Sequence, residues 1–158
     1  MPPTNRAAVA DAIRANSTAM AVDLVEPFAH VLQIARQVFG DGDKLLLMSN
    51  ITLRANLHPA YKALSPDDIA AGRIARLPTL GVNLQSLADA TGIPKETVRR
   101  KVAQLARDGF IERDGRNLRY TPQGYRAVAP IREALVRMAA RIHQAVETVV
   151  AEELVRAA

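Results

Sequence analysis

The sequence predicts a mostly α-helical fold with one small β-hairpin. Three observations carry this. Apolar residues recur at helical spacing through most of the 158 residues. Between Asn83 and Thr121 a short helix, a tight turn, a longer basic helix and an alternating hairpin run follow one another. From Ile131 onward the apolar positions form a long seam with spacing 4, 3, 4, 3, 4. An apolar fraction of 49% is ample for a core, and the length suits one domain or a small domain with a helical extension.

Met1 to Thr4 is expected to be a tail. Asn5 to Val25 is Ala-rich, with Val9, Ile13, Met20 and Leu24, and predicts one or two helical segments. Asp11, Arg14 and Asp23 break the apolar run that a signal peptide needs, and no stretch of about 20 apolar residues could span a bilayer. No membrane partner and a cytoplasmic location are expected. Pro27 is read as starting a second helix, Phe28 to Phe39, with Phe28, Val31, Leu32, Ala35 and Val38 on one side, and Gly40 ends it.

Asp41-Gly42-Asp43 is similar to a fragment of a calcium loop but lacks the later ligands and closing Glu, so a turn followed by an N-cap is the better reading. Lys44 to Leu57 predicts a third helix with Leu46, Leu47, Ile51 and Leu57 in the core, stopped by Pro59. Ser65 caps a short helix with acids in its first turn, ending near Arg76. Pro78 and Gly81 mark a linker, so residues 58–81 read as an insertion.

Asn83 is a good N-cap, and Leu87-Ala88 give the next helix a small apolar face. Gly92 can take the positive φ of a tight inter-helix turn, and Pro94 suits the first turn of the helix that follows. From Lys95, Val98, Val102 and Leu105 share one face, while Lys95, Thr97, Arg99, Arg100, Lys101 and Gln104 line the other. Phe110 to Arg113 and Leu118 to Thr121 alternate apolar and polar around Asp114-Gly115-Arg116-Asn117, a hairpin or wing with Arg116 at its tip.

This stretch resembles the winged helix-turn-helix of bacterial transcription regulators. Lys95-Glu96-Thr97-Val98-Arg99-Arg100 is similar to the recognition helix of the cyclic-AMP receptor type. Tyr120-Thr121-Pro122-Gln123-Gly124 is similar to the wing exit of MarR-type regulators. The resemblance implies sequence-specific binding to double-stranded DNA, with Lys95, Glu96 and Arg100 facing the bases. On that resemblance Arg100 is the leading base reader and Arg99 a base or backbone contact. Thr97, Lys101 and Gln104 complete the exposed face, Arg107, Arg113 and Arg119 are assigned to phosphates, and Arg116 with Asn117 to the wing tip.

The charge distribution agrees with an anionic partner. Between Pro94 and Arg126 there are nine cations and four anions, a difference that equals the net charge of +5 of the whole chain.

Thr121 caps a further helix with Pro122 at its first position, and Pro130 bends or divides it. The seam of Ile131, Leu135, Met138, Ile142, Ala145 and Val149, widened by Val146, Val150 and Leu154, is too long for one small core to cover. A homodimer is expected, with Ile131, Leu135, Met138, Ile142, Val146 and Val149 at its interface, reading an inverted repeat. The expected division is N-terminal helices at 1–40, a winged helix-turn-helix at 41–126 and a dimerisation helix at 127–158. A small-molecule effector between dimer and DNA-binding parts is a further expectation.

No enzyme and no cofactor are expected. The chain has no cysteine, which excludes a thiolate nucleophile and Cys-based zinc or iron–sulfur sites. His30, His58 and His143 are far apart and belong to no metal-ligand motif, and there is no Gly-rich phosphate loop or nucleophile elbow. A protein-interaction module, or a replication or partition DNA binder, are the alternative functional readings.

Overall fold

The structure, a computed structural model, describes residues 6–156. The expected tail at Met1 to Thr4 and the Leu154 side chain lie outside the described residues. The chain is mostly helical with one two-stranded antiparallel sheet, and no described helix is long and apolar enough to cross a membrane. It divides into two compact units, one formed by residues 1–34 with 130–158, the other by residues 35–129.

In the first unit, α1 (Arg6–Ala15) has no buried side chain; α2 (Ala21–Phe39), whose last five residues belong to the second unit, continues through Pro27. This differs from the expected start at Phe28. Pro27 forfeits the amide that would bond to the Asp23 carbonyl, a loss that usually ends a helix. Here Met20 before it and Val31 beyond it are both buried, so packing holds the two flanks. The expected apolar side of α2 also splits: Val31 and Ala35 are buried, whereas Phe28 and Leu32 are exposed. At the other end of the sequence, α9 (Ala129–Arg156) buries Ile131, Ala134 and Val149.

The second unit is built on α3 (Gly42–Asn56). The Asp41 carboxylate caps it, accepting the Lys44 amide at 2.8 Å. Leu47, Met48, Ile51 and Ala55 fall on one stripe and are buried. Leu46 and Leu57, expected in the core, project from the other flank of the helix and are about half exposed. A single turn, α4 (Pro59–Lys62), follows where Pro59 was read as a stop; Pro is welcome in a first turn, and His58 Nδ1 accepts the Ala60 amide. Ser65 caps α5 (Pro66–Ala70), which ends well before Arg76 because Gly72 turns the chain at φ +74°.

Asn83 caps α6 (Leu84–Thr91), and Gly92 closes it in the left-handed region at φ +70°. After Pro94, α7 (Lys95–Arg107) buries Val98, Val102 and Leu105. Strands β1 (Ile111–Asp114) and β2 (Asn117–Tyr120) pair with Ile111 opposite Tyr120 and Asp114 opposite Asn117. A single bridge from Val82 to Leu118 extends this small sheet. The hairpin then turns into α8 (Pro122–Ala127) through one residue. Thr121 Oγ1 donates to the Gly109 carbonyl at 2.6 Å and accepts the Gly124 amide at 2.8 Å. Gly124 must be glycine, since a Cβ there would lie 2.3 Å from the Phe110 carbonyl oxygen. Phe39 and Phe110 close the core with ring centroids 5.2 Å apart.

Candidate functional site

The basic helix and hairpin of the second unit hold most of the residues singled out in the sequence. Their side chains divide into those used by the fold and those left to solvent.

Lys101 belongs to the fold. Its Nζ lies 2.7 Å from Asp41 Oδ2, and the side chain is only 16% exposed. Burial raises the Asp41 pKa, but the Lys101 hydrogen bond, the Lys44 amide and the two ammonium charges outweigh it, so the carboxyl titrates below its ordinary value. Arg119 belongs to the fold as well. It is equally buried, donates to the Leu77 carbonyl at 2.8 Å and pairs with Asp114. Its Nε meets no hydrogen-bond acceptor and lies 3.8 Å from Glu112 Oε1, a charge contact only. Arg76, which the sequence did not single out, pairs with Glu112 and Asp114 from the other side. Hydrogen bonds from Arg119 and then Arg76 hold the Asp114 carboxyl below its usual range. No periodicity in the 58–81 stretch could have pointed to Arg76, because the pairing is made only when the chain folds back on the hairpin.

Along α7, Glu96 is paired with Arg99 one turn on, at 2.7 Å. Thr97 and Gln104 are half-buried. Lys95, Arg100 and Arg107 are exposed, as are Arg113, Arg116 and Asn117 on the hairpin and Arg126 on α8. Arg100 and Arg107 are seven residues apart, hence on one line of the helix about 10 Å long. Among the described residues, Lys95, Arg100, Arg107, Arg113, Arg116 and Arg126 make no ion pair, whereas Glu96, Asp108, Glu112 and Asp114 are all ion-paired inside this unit. The surplus positive charge therefore faces solvent. A concave feature of about 300 Å³ lies between α3 and α6, lined by Leu53, Leu57, Val82 and Leu87 with Asn50 and Arg54.

The remaining candidates serve the fold or stand alone. Asp41 caps α3, so the calcium-like fragment is a helix start. His58 caps α4, and His143 lies 3.2 Å from Glu147 on its own helix. No group of His, Cys, Asp or Glu able to hold a metal occurs among the described residues. Of the seam on α9, Ile131 and Val149 are buried, Met138, Ile142 and Val146 half-buried, and Leu135 is 42% exposed.

Residues 78–126 match the HemN C-terminal domain, a family related to radical-SAM and coproporphyrinogen oxidase enzymes of haem biosynthesis. The match covers less than a third of the chain. No curated protein and no solved structure matches. The family match overturns the regulator resemblance and, with it, sequence-specific DNA binding and transcription regulation; it supports neither alternative reading.

The physical reason lies in the motif residues themselves. Gly92 supplies a left-handed turn, Thr121 and Gly124 lock the hairpin exit, and Lys101 and Arg119 stitch elements together. Such a pattern specifies a fold, and folds host many functions. Radical-SAM chemistry relies on an iron–sulfur cluster held by thiolates. This chain has none to offer, so its residues do not fit that cofactor.

Proposed function

We propose that the second unit is a winged-helix-type accessory domain of the HemN C-terminal kind, which does no redox chemistry itself and holds the carboxylates of a tetrapyrrole on its basic face. The winged-helix arrangement is supported by the order α3, α6, α7, hairpin, with Val82 bridging the hairpin at Leu118. That the unit carries out no cluster-based redox chemistry itself is supported by the lack of cysteine thiolates in the sequence.

The observation that carries the ligand is the charge arrangement. In the segment that matches the family, six cations stand without an ion pair among the described residues, while four of its five acids are ion-paired internally and the fifth, Asp89, accepts from Gln85. Arg100 and Arg107 present two guanidinium forks in line, which suits a molecule bearing several carboxylates.

Titration of the protein with coproporphyrin, followed by porphyrin fluorescence, tests this. Saturable binding is expected, weakened by salt and absent for a porphyrin without carboxylates. Failure to saturate, or equal binding of the uncharged porphyrin, would overturn it.

A further inference from the structure

We propose that two copies of this chain associate through the unit formed by residues 1–34 and 130–158, pairing α2 and α9 of each copy into a four-helix bundle. The inference is independent of what the basic face binds.

This unit is short of core. Among the described residues it buries five apolar side chains, Met20, Val31, Ile131, Ala134 and Val149, against twenty in the other unit. It also exposes six of the ten large apolar side chains that are open to solvent. Val22, Val25, Phe28 and Leu32 on α2 are 62%, 64%, 53% and 43% exposed, and Leu135 and Val136 on α9 are 42% and 63% exposed.

The α2 residues are not scattered. At 3.6 residues per turn they occupy one arc of roughly 120°, directly beside the line of the buried Val31 and Ala35. The apolar stripe of α2 therefore spans about half of the helix, wider than the line its own unit buries, and a stripe that wide is covered in the working state. On α9, Leu135 extends the seam of half-buried Met138, Ile142 and Val146. A cleft of about 550 Å³, lined by Pro27, His30, Gln33, Met138 and Arg141, also lies between α2 and α9, so the contact between the two helices is incomplete there.

Charge selects the occupant. The sequence of this unit carries six cations and seven anions, a near balance, while the rest of the chain carries fifteen and nine. The ionic groups nearest the stripe are matched within the unit: Arg141 pairs with Asp23 at 3.0 Å and Glu26 at 2.9 Å, and Arg137 with Glu133 at 3.0 Å. Two copies can meet here without like-charge repulsion, whereas contact through the basic unit would oppose two positive surfaces. A two-fold contact places one patch against itself, which needs a neutral, apolar, self-complementary face. Two helices from each copy give the four that enclose apolar stripes in a bundle.

Sedimentation equilibrium of the full chain over about 1–100 μM tests this in a range where a specific dimer is populated. The expected mass is twice 17.1 kDa. Val25→Glu with Phe28→Glu should return it to 17.1 kDa with the helical circular dichroism unchanged, because both side chains are more than half exposed. Leu32→Gln, a milder change of similar shape, should weaken association at least about tenfold. A wild-type mass of 17.1 kDa across the range would overturn the proposal. So would association that all these variants leave unaltered.

Discussion

Lys101 Nζ and Asp41 Oδ2 are 2.7 Å apart although sixty residues separate them in the chain. The pair ties the basic helix α7 to the start of α3, because the same carboxylate accepts the Lys44 amide that opens α3. Asp41→Asn keeps a side-chain oxygen for the cap and removes the charge, whereas Asp41→Ala removes both. Asp41→Ala should therefore be the less stable of the two, by about 1 kcal/mol for the lost cap.

The pH dependence follows from the depressed Asp41 pKa. A carboxyl that is more acidic folded than unfolded stabilises the protein fully above its ordinary value of 3.8. That contribution fades as pH falls through 3.8 towards the lower folded value. Urea unfolding of wild type and Asp41→Asn should show a gap at neutral pH that narrows as pH falls below 3.8. A gap that widens on acidification would contradict the assignment.

At the hairpin exit, Thr121→Val should cost about 1–2 kcal/mol, by removing the cap of α8 and the hydroxyl bond to Gly109. Gly124→Ala should cost more, since its methyl meets the rigid Phe110 carbonyl and not a side-chain end that can move. Gly115→Ala should cost about 1 kcal/mol for the left-handed φ alone, with nothing near its Cβ. The order Gly124 worst, Gly115 mildest, is checked by denaturant midpoints at a common slope.

Two arginines three residues apart should behave oppositely. Arg119→Ala strips the Leu77 carbonyl of its donor and should lower stability by about 1–2 kcal/mol. Arg116→Ala, at the exposed turn, should leave stability within about 0.5 kcal/mol. Thermal melts of both variants decide it, and equal losses would mean that Arg119 is not a structural residue.

These contrasts show where a one-dimensional reading reaches its limit. Local chemistry was legible: Asn83 and Thr121 as caps, Gly92 as the left-handed turn, and Val98, Val102 and Leu105 as the buried line of α7. Such signals are set by neighbours within four residues. What was illegible depends on distant partners. Pro27 inside α2 is tolerated because of packing on both its flanks, and Leu46 and Leu57 are solvent-facing because Leu47 and Ile51 take the core. Lys101 and Arg119 look like any exposed cation until Asp41, Leu77 and Asp114 are brought beside them. The charge count was correct as arithmetic, but it could not say which cations remain available. Lys101 and Arg119, expected among the DNA contacts, are instead held by the fold for that reason.

The basic face makes its own prediction. Arg100→Glu with Arg107→Glu should not alter the fold, as both side chains are exposed and make no ion pair among the described residues. Coproporphyrin titration of this double variant against wild type, at low and moderate salt, tests the central claim most directly. Wild type should bind saturably, and the variant at least about tenfold more weakly with a shallower salt dependence. Equal affinity of the two proteins would contradict the account.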